Sequence, residues 1–330
     1  MAESVSAAET DDVHIDVPVN TLLSFHYFRE HDIGQYAEWG LRLIGDSGAF
    51  SAASQGAHID LDEFYEWAAR WRSALFWTAS LDVIGNEEAT LRNWKAAPRH
   101  LGLVPTVHYG AEPKALHPYV DEGVDFLGLG GMVPHKSEPK RLLRWALSIM
   151  RYAQENFPHL RFHGWGVTHP DLMMNLPWWS VDSSGYSAAF RFANLQLFDP
   201  TLGKRVSCRL DGKDAARLAN LLRTSYGLDW RRIASSTVHT RRDVTRVAIR
   251  GQQLLEQNLQ RRWKVTPPAS LAPRLREHER GPFLHAVLGF PGSQPPRSLS
   301  PTDQDAPKVG PLIHGVMARH RHPLLLKDKA

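Results

Sequence analysis

Two aspartates occupy equivalent places in the chain, each at the end of an apolar run and directly before serine. Asp46 ends the run 41–45, and Asp182 ends the run 178–181. A carboxylate at the carboxyl end of a buried strand is where barrel enzymes carry out their chemistry. Two such carboxylates predict divided roles, one nucleophilic and one acid/base. The alternative is that both form turns with local backbone N–H groups.

Other distinctive residues end the neighbouring apolar runs. Asp82 ends the third run, His108 lies at the end of the fourth, and adjacent glycines end the fifth. Missing side chains at the glycines would let a flat ligand lie against the backbone. The alternatives are that Asp82 caps a loop, that His108 is a polar core residue with its hydrogen bonds satisfied, and that the glycines form a simple tight turn. If the strand ends converge on one barrel mouth, the pocket contains Asp46, Ser47, Asp82, His108, Gly130, Gly131 and Asp182.

Short apolar runs alternate with amphipathic segments from residue 17 to about residue 265. The predicted strands are Thr21–Tyr27, Leu41–Ile44, Leu75–Ile84, Leu103–Tyr109, Asp125–Leu129, Arg161–Val167 and Trp178–Val181, with an eighth strand expected after Ser187. Helices are predicted over Asp60–Ser73, Glu138–Asn156 and Thr240–Val265. This alternation indicates an α/β fold with a parallel sheet and crossover helices. We predict a TIM (β/α)8 barrel over residues 17–265. An open doubly wound sheet is the alternative, although no Gly-rich nucleotide fingerprint follows the first strand.

The last predicted helix carries arginines at four-residue spacing, Arg242, Arg246 and Arg250. This spacing places them on one face of the helix. The face is interpreted either as a set of phosphate contacts or as an ordinary solvated surface.

The two ends of the chain have a different composition. Residues 1–16 are acidic and rich in small side chains, which predicts a disordered extension that is neither a signal peptide nor a membrane anchor. Residues 266–330 are rich in Pro, Ser, His and Arg, which predicts a mobile tail with a short docked piece near Phe283–Phe290.

The overall composition limits the chemistry that this chain can perform. It has 330 residues, 42% of them hydrophobic, and a formal net charge of +4. The single cysteine, Cys208, excludes an intramolecular disulfide and a cysteine-cluster zinc site built by this chain alone. We therefore expect no metal and a reducing, hence cytoplasmic, location. We also expect no cofactor, and no membrane association, because no uninterrupted apolar run is long enough to span a bilayer. The mild positive charge permits a polyanionic partner without demanding one.

Four motifs resemble those of the tRNA-guanine transglycosylases. Asp46–Phe50 looks like their Asp-Ser-Gly-Gly-Phe/Tyr motif, and Gly128–Met132 is similar to their Gly-Gly-Leu segment. Gly164–Val167 with Pro170–Leu172 resembles Gly-x-Gly-x-Pro-Glu-Asp-Leu, and Trp179–Asp182 matches the segment that carries the nucleophile. The order and approximate spacing agree from about residue 41 to residue 187.

This resemblance implies a barrel enzyme that exchanges guanine in a nucleic acid for a 7-deazaguanine such as preQ0. Asp182 would attack C1′, and Asp46 would carry protons for the leaving and entering bases. Asp82 would recognise the base edge, and Gly130 and Gly131 would offer backbone groups to it. The target base would have to leave its stack to reach such a pocket.

The chain also departs from the tRNA enzymes. They hold zinc with three cysteines and a histidine, whereas Cys208 is the one cysteine here. They usually carry glutamine where His108 or Tyr109 stands, and a cysteine where Ser183 follows the nucleophile. The chain looks more like the zinc-free phage and genomic-island relatives that modify DNA, so DNA is favoured over tRNA, and a phage-encoded protein would act in the host cytoplasm. Three alternatives stay open: a tRNA-guanine transglycosylase, a non-catalytic nucleic-acid-binding barrel, and a barrel hydrolase acting on a sugar or nucleoside. The sequence does not determine whether a partner subunit is needed.

Overall fold

The computed structural model of the protein describes residues 13–183, 193–234 and 238–287. The described residues form two compact units. The first unit contains residues 17–183 and 256–287, and the second contains residues 13–16, 193–234 and 238–255.

The first unit is built on one eight-stranded, curled sheet in which all neighbouring strands are parallel. Its strands are β1 Val19–Ser24, β2 Leu41–Asp46, β3 Leu75–Thr78, β4 Thr106–His108, β5 Phe126–Gly130, β6 Arg161–Gly164, β7 Ser180–Ser183 and β10 Phe283–Val287, in the spatial order β3-β2-β1-β10-β7-β6-β5-β4. No continuous ladder joins the outer strands β3 and β4 in the described chain. A single parallel bridge between Ala79 and Val104 connects the segments beside them. The arrangement is a TIM-like mixed α/β fold.

Helices connect successive strands of this sheet. They are α1 Phe25–Phe28, α2 Gly34–Glu38, α3 Ala49–Ser54, α4 Leu61–Arg70, α5 Glu87–Ala96, α6 His117–Val120, α7 Pro139–Asn156 and α8 Pro170–Asn175, with 3₁₀ turns at Arg99–Leu101, Pro113–Leu116, Val133–His135 and Ala272–Arg274. The sequence predicted helices over both α7 and α4. Asp60 caps α4 by accepting hydrogen bonds from the backbone N–H groups of Asp62 and Glu63 at 2.9 and 3.0 Å, which satisfies donors that the first helical turn leaves unpaired.

The eighth strand corrects the sequence prediction. It was expected after Ser187, with the barrel ending at residue 265, but β10 lies between β1 and β7. Pro282 lies just before the first strand residue, where its missing N–H removes no hydrogen bond from the ladder. The expected docked piece near residues 283–290 is therefore a sheet strand as far as Val287. Residues 288–330 of the predicted tail and residues 1–12 of the predicted extension lie outside the described residues.

An apolar cluster packs inside the curled sheet, below the strand ends that carry the site residues. Its buried members are Leu22, Ile44, Phe76, Trp77, Val104, Phe126, Trp179, Leu271 and Phe283. The Arg42 guanidinium lies 5.1 Å from the ring centres of both Phe76 and Phe283 and is paired with Glu279. Cation–π contacts of this kind link β2 and β3 to β10 from within.

The second unit consists of a separate antiparallel hairpin and helices. The hairpin pairs β8 Asn194–Asp199 with β9 Lys204–Arg209. The helices are α9 Gly212–Arg217, α10 Ala219–Tyr226, α11 Arg231–Ala234 and the part of α12 Val238–Arg262 that ends at Leu255. Among all described helices, none is long and apolar enough to cross a membrane.

Candidate active site

The parallel strands bring the predicted site residues to one end of the first unit. Asp46, His108 and Gly130 are the last residues of β2, β4 and β5, and Asp182 is the third residue of β7. Ser47 follows β2, and Asp82 lies in the loop after β3. Since the strands are parallel, their carboxyl ends share one edge of the sheet. The structure thus brings all of these residues to the carboxyl-terminal edge of the curled sheet, which is called the mouth below.

Asp46 is held in the turn that follows β2. Its Oδ2 accepts a hydrogen bond from the backbone N–H of Gly48 at 3.1 Å, so the local turn considered in the sequence analysis is present. Gly48 has φ +78°, and a Cβ there would lie 2.3 Å from the Ser24 Oγ. Only glycine adopts this turn without strain and without a clash.

The pKa of Asp46 is raised to about 8. Removal from water is the main cause, and the negative charges of Asp82 and Asp182 add to it, while the N–H groups of Gly48 and Ser47 oppose the shift. Burial and like charges both disfavour the ionised form of a carboxyl group. Asp46 therefore carries a proton at neutral pH, which a turn residue does not require.

Asp82 belongs to a chain of charged groups. Its Oδ2 lies 2.8 Å from His108 Nε2, and His108 Nδ1 lies 2.6 Å from Glu87 Oε1. Burial alone would lower the pKa of His108, but the hydrogen bonds and charges of Asp82 and Glu87 outweigh it and raise the pKa to about 9. His108 is therefore a cation between two carboxylates at neutral pH. The second oxygen of Asp82, Oδ1, accepts a hydrogen bond from Ser47 Oγ at 3.3 Å.

Asp182 is held by groups from a neighbouring strand and its loop. Its Oδ1 accepts hydrogen bonds from the backbone N–H of Gly166 at 2.7 Å and from His163 Nε2 at 3.3 Å. Gly166 has φ +66°, a conformation that favours glycine. Within the described residues, Oδ2 of Asp182 accepts no hydrogen bond. The local turn considered as an alternative for Asp182 would use the N–H groups of residues after Ser183, which lie outside the described residues.

The space next to the β5 glycines is filled by other side chains of the protein and is not open to a ligand. A Cβ on Gly128 would lie 2.2 Å from Trp165 Nε1, and a Cβ on Gly130 would lie 2.9 Å from the Thr106 side chain. The Trp165 indole occupies this space and donates a hydrogen bond to Thr106 Oγ1 at 3.0 Å. Gly131 forms a turn with φ +70°. The expectation that Gly130 receives a flat ligand on bare backbone is corrected accordingly, and the half-buried face of Trp165 takes that place.

The described residues contain no group of three or more His, Cys, Asp or Glu side chains arranged to hold a metal ion. Cys208 is buried in β9, and burial raises the pKa of its thiol to about 11. A thiol with a raised pKa is a poor metal ligand, because the thiolate is the binding form.

The predicted arginine stripe, formed by Arg242, Arg246 and Arg250 on one face of α12, is less exposed to solvent than the sequence indicated. Arg250 is only 17% exposed, and its guanidinium is paired with Asp16 at 2.8 Å. Burial lowers the pKa of Arg246, and Arg242 is partly buried. The structure therefore does not present Arg250 as a surface cation for phosphate, which corrects that part of the prediction.

Three residues at the mouth were not singled out from the sequence. They are Glu87, at the start of α5, His163 in β6, and Trp165, which follows β6. His163 and Trp165 flank Gly164 in a motif that was noted only for its glycines. Their roles depend on contacts with other strands, which sequence spacing alone does not reveal.

Comparisons with protein-family models, with curated proteins and with solved structures gave no match. The mouth combines a carboxyl group that holds a proton with a carboxylate that is anchored through one oxygen. That combination is suited to a displacement in which one group forms a covalent bond and the other moves a proton.

Proposed function

We propose that the protein is a base-exchange glycosyltransferase that replaces guanine in a nucleic acid with a 7-deazaguanine such as preQ0. The observation that carries this proposal is that two aspartates in the same mouth have different surroundings. Asp46 keeps its proton, with a pKa raised to about 8, whereas Asp182 is anchored through Oδ1 by donors from outside its own strand. The four motifs that resemble the guanine transglycosylases assign the same two residues to these roles.

In the first half-reaction, Oδ2 of Asp182, which accepts no hydrogen bond within the described residues, forms a bond to C1′ of the target nucleotide. The bond between C1′ and guanine N9 breaks, its electron pair moves to the base, and Asp46 gives its proton to the leaving guanine. A covalent intermediate of this kind divides one difficult glycosyl displacement into two easier ones.

In the second half-reaction, the entering 7-deazaguanine loses its N9 proton to Asp46. Its N9 forms a bond to C1′, and the ester bond to Asp182 breaks, which regenerates the carboxylate. Asp46 then holds a proton again, so the cycle consumes no oxidant, reductant or cofactor. A pKa near the working pH suits a group that must alternately donate and accept.

Asp82 is proposed to recognise the donor edge of the base. His108 fixes one of its oxygens, and among the described residues only the Ser47 hydroxyl contacts the other, at 3.3 Å. A long hydrogen bond of this type is readily exchanged for one from a ligand N–H group. The half-buried Trp165 indole supplies a flat surface over Gly128 and Gly130 in place of the glycine floor. We further infer a closed TIM barrel, since the parallel bridge between Ala79 and Val104 joins the segments that flank its two outer strands.

DNA is proposed as the polymer because the chain lacks the cysteines of the tRNA enzymes and has serine after the nucleophile. A non-catalytic nucleic-acid-binding barrel is the weaker alternative. It gives no reason to keep the Asp46 carboxyl group close to two other carboxylates, where its ionisation is strongly disfavoured. A hydrolase would release guanine without taking up a new base.

The test is an exchange assay with isotopically labelled guanine and with preQ0, using duplex DNA and tRNA as substrates. Wild-type protein should release guanine from DNA and incorporate the entering base. Asp182→Asn keeps the size of the side chain but removes the anionic oxygen, so exchange should fall by several orders of magnitude. Exchange in tRNA alone would assign the protein to the other branch, guanine release without incorporation would indicate a hydrolase, and no release from either polymer would refute the proposal.

A further inference from the structure

Strand register brings Ser180, Asp182 and His163 together inside the first unit. Ser180 and Asp182 are two residues apart on β7, so their side chains lie on the same face of the sheet. His163 on β6 is directly opposite Ser180. Its ring therefore stands beside Ser180 and reaches toward Asp182, one step closer to the mouth.

The hydrogen bonds define which ring nitrogen of His163 carries its proton. Nε2 lies 3.3 Å from Asp182 Oδ1, and a carboxylate oxygen can only accept, so Nε2 must donate. Nδ1 lies 2.7 Å from Ser180 Oγ. Burial lowers the pKa of His163, so the ring is neutral at pH 7, and its Nδ1 accepts from the Ser180 hydroxyl.

The surroundings of His163 hold this arrangement in place. The ring is fully buried, and the centres of the Trp165 and Trp77 rings lie 4.2 and 4.9 Å from its own. On the remaining side, the ring centre of His285 lies 6.1 Å away. Close packing of this kind leaves a side chain little freedom to rotate.

We propose that His163 is a positioning residue for the nucleophile. Ser180 fixes its tautomer, His163 and the Gly166 N–H together fix Asp182 Oδ1, and Oδ2 is thereby assigned as the atom that attacks C1′. This inference rests on the proposed base-exchange function. It adds a reason why a histidine and a serine, neither of which reaches the substrate, lie beneath the reacting group.

The first experiment measures single-turnover formation of the covalent DNA–protein adduct. In the variant His163→Leu with Ser180→Ala, no buried hydroxyl is left unpaired, and adduct formation should slow by about 100-fold because the carboxylate can turn away from its attack geometry. The equilibrium affinity for DNA should stay within about twofold. His163→Gln should recover much of the rate, since its amide can donate from nearly the position of Nε2. An unchanged rate in the double variant would overturn the proposal.

The second experiment is ¹⁵N NMR of the histidine rings in the resting full-length protein. His163 should appear as a neutral ring with the proton on Nε2, and Ser180→Ala should introduce the other tautomer. A proton on Nδ1 in the wild type would also overturn the proposal. If the wild type forms no adduct while the NMR result is as expected, the base-exchange function fails, and the nucleophile-positioning role falls with it. Adduct formation that is insensitive to His163 refutes the positioning role alone.

Discussion

At the scale of single residues, the surroundings of Asp46 strongly alter its protonation. Its pKa is about 8 in the folded protein against an ordinary value of 3.8. Between these two values the unfolded chain releases a proton that the folded chain retains. Stability therefore falls as pH rises from about 4 to about 8, because the unfolded state binds fewer protons over this range. Such a destabilised group is typical of an active site.

The variant Asp46→Asn replaces the titratable carboxyl group with an amide. The contribution of residue 46 to the pH dependence of stability is therefore lost. Relative to the wild type, we expect the midpoint of thermal unfolding to increase progressively between pH 4 and pH 8. Turnover should fall by roughly 100-fold, the usual loss for a general acid/base group, and wild-type turnover should decline above about pH 8 as Asp46 loses its proton. Thermal melts and exchange rates over this pH range check both statements. Equal pH dependence of unfolding in the two proteins would contradict them.

The sequence identified the carboxylates of the site but not the groups that adjust them. Asp46, Asp82 and Asp182 were recognisable because each ends an apolar run. Glu87 and His163 act through partners 21 and 19 residues away in sequence, and these contacts depend on strand register and loop path. A lone glutamate or histidine carries no pattern that predicts such a contact.

At the scale of elements, seven sheet strands were predictable because each is an apolar run followed by a helix or turn. The eighth, β10, was missed as a sheet member because five residues, Phe283–Val287, lie in a stretch dominated by Pro, Arg and His. All of its residues except Val287 are buried. Its buried histidine, His285, weakens the apolar signal further. The position of β10 between β1 and β7 is a matter of tertiary pairing, which composition cannot supply.

A variant truncated after residue 265 distinguishes the predicted tail from the observed strand. Loss of β10 leaves β1 and β7 without their shared partner, and we expect no cooperative thermal transition. Circular dichroism melts test this. If the truncated chain unfolds cooperatively near the wild-type midpoint, β10 is dispensable and the original boundary at residue 265 stands.

Gly281→Ala is a milder companion variant. A Cβ at Gly281 would lie 2.6 Å from the carbonyl oxygen of Trp179, so β10 should remain paired but strained. The expected loss is about 1–3 kcal/mol, the usual cost of overpacking.

At the scale of the whole molecule, the net charge of +4 is compatible with a polyanionic substrate, but the arginines of helix α12 are not equally exposed to solvent. Arg250 is committed to Asp16, whereas Arg242 is partly exposed. Phosphate contacts release counterions and so determine the salt dependence of binding. The two arginines should therefore affect DNA binding differently.

Arg242→Ala should reduce the log–log salt slope of DNA binding by about one unit, with a similar loss of affinity for unrelated sequences. Arg250→Ala is the matched control on the same helix. It should leave the slope unchanged and cost no more than about 1 kcal/mol of stability, because its partly exposed ion pair is screened by solvent. Fluorescence anisotropy titrations at several salt concentrations measure the slope. If both variants keep the wild-type slope, the stripe is a structural face of the helix.

The central claim is that Asp182 becomes covalently attached to the sugar of a nucleic acid after guanine has left. The most direct measurement is to mix the protein with guanine-containing duplex DNA in the absence of an entering base, denature rapidly, digest both components and map the product by mass spectrometry. The account predicts a deoxyribose-linked adduct on the peptide that contains Asp182, accompanied by free guanine and absent from Asp182→Asn. An adduct on Asp46, or guanine release from DNA by Asp182→Asn at the wild-type rate, would contradict it.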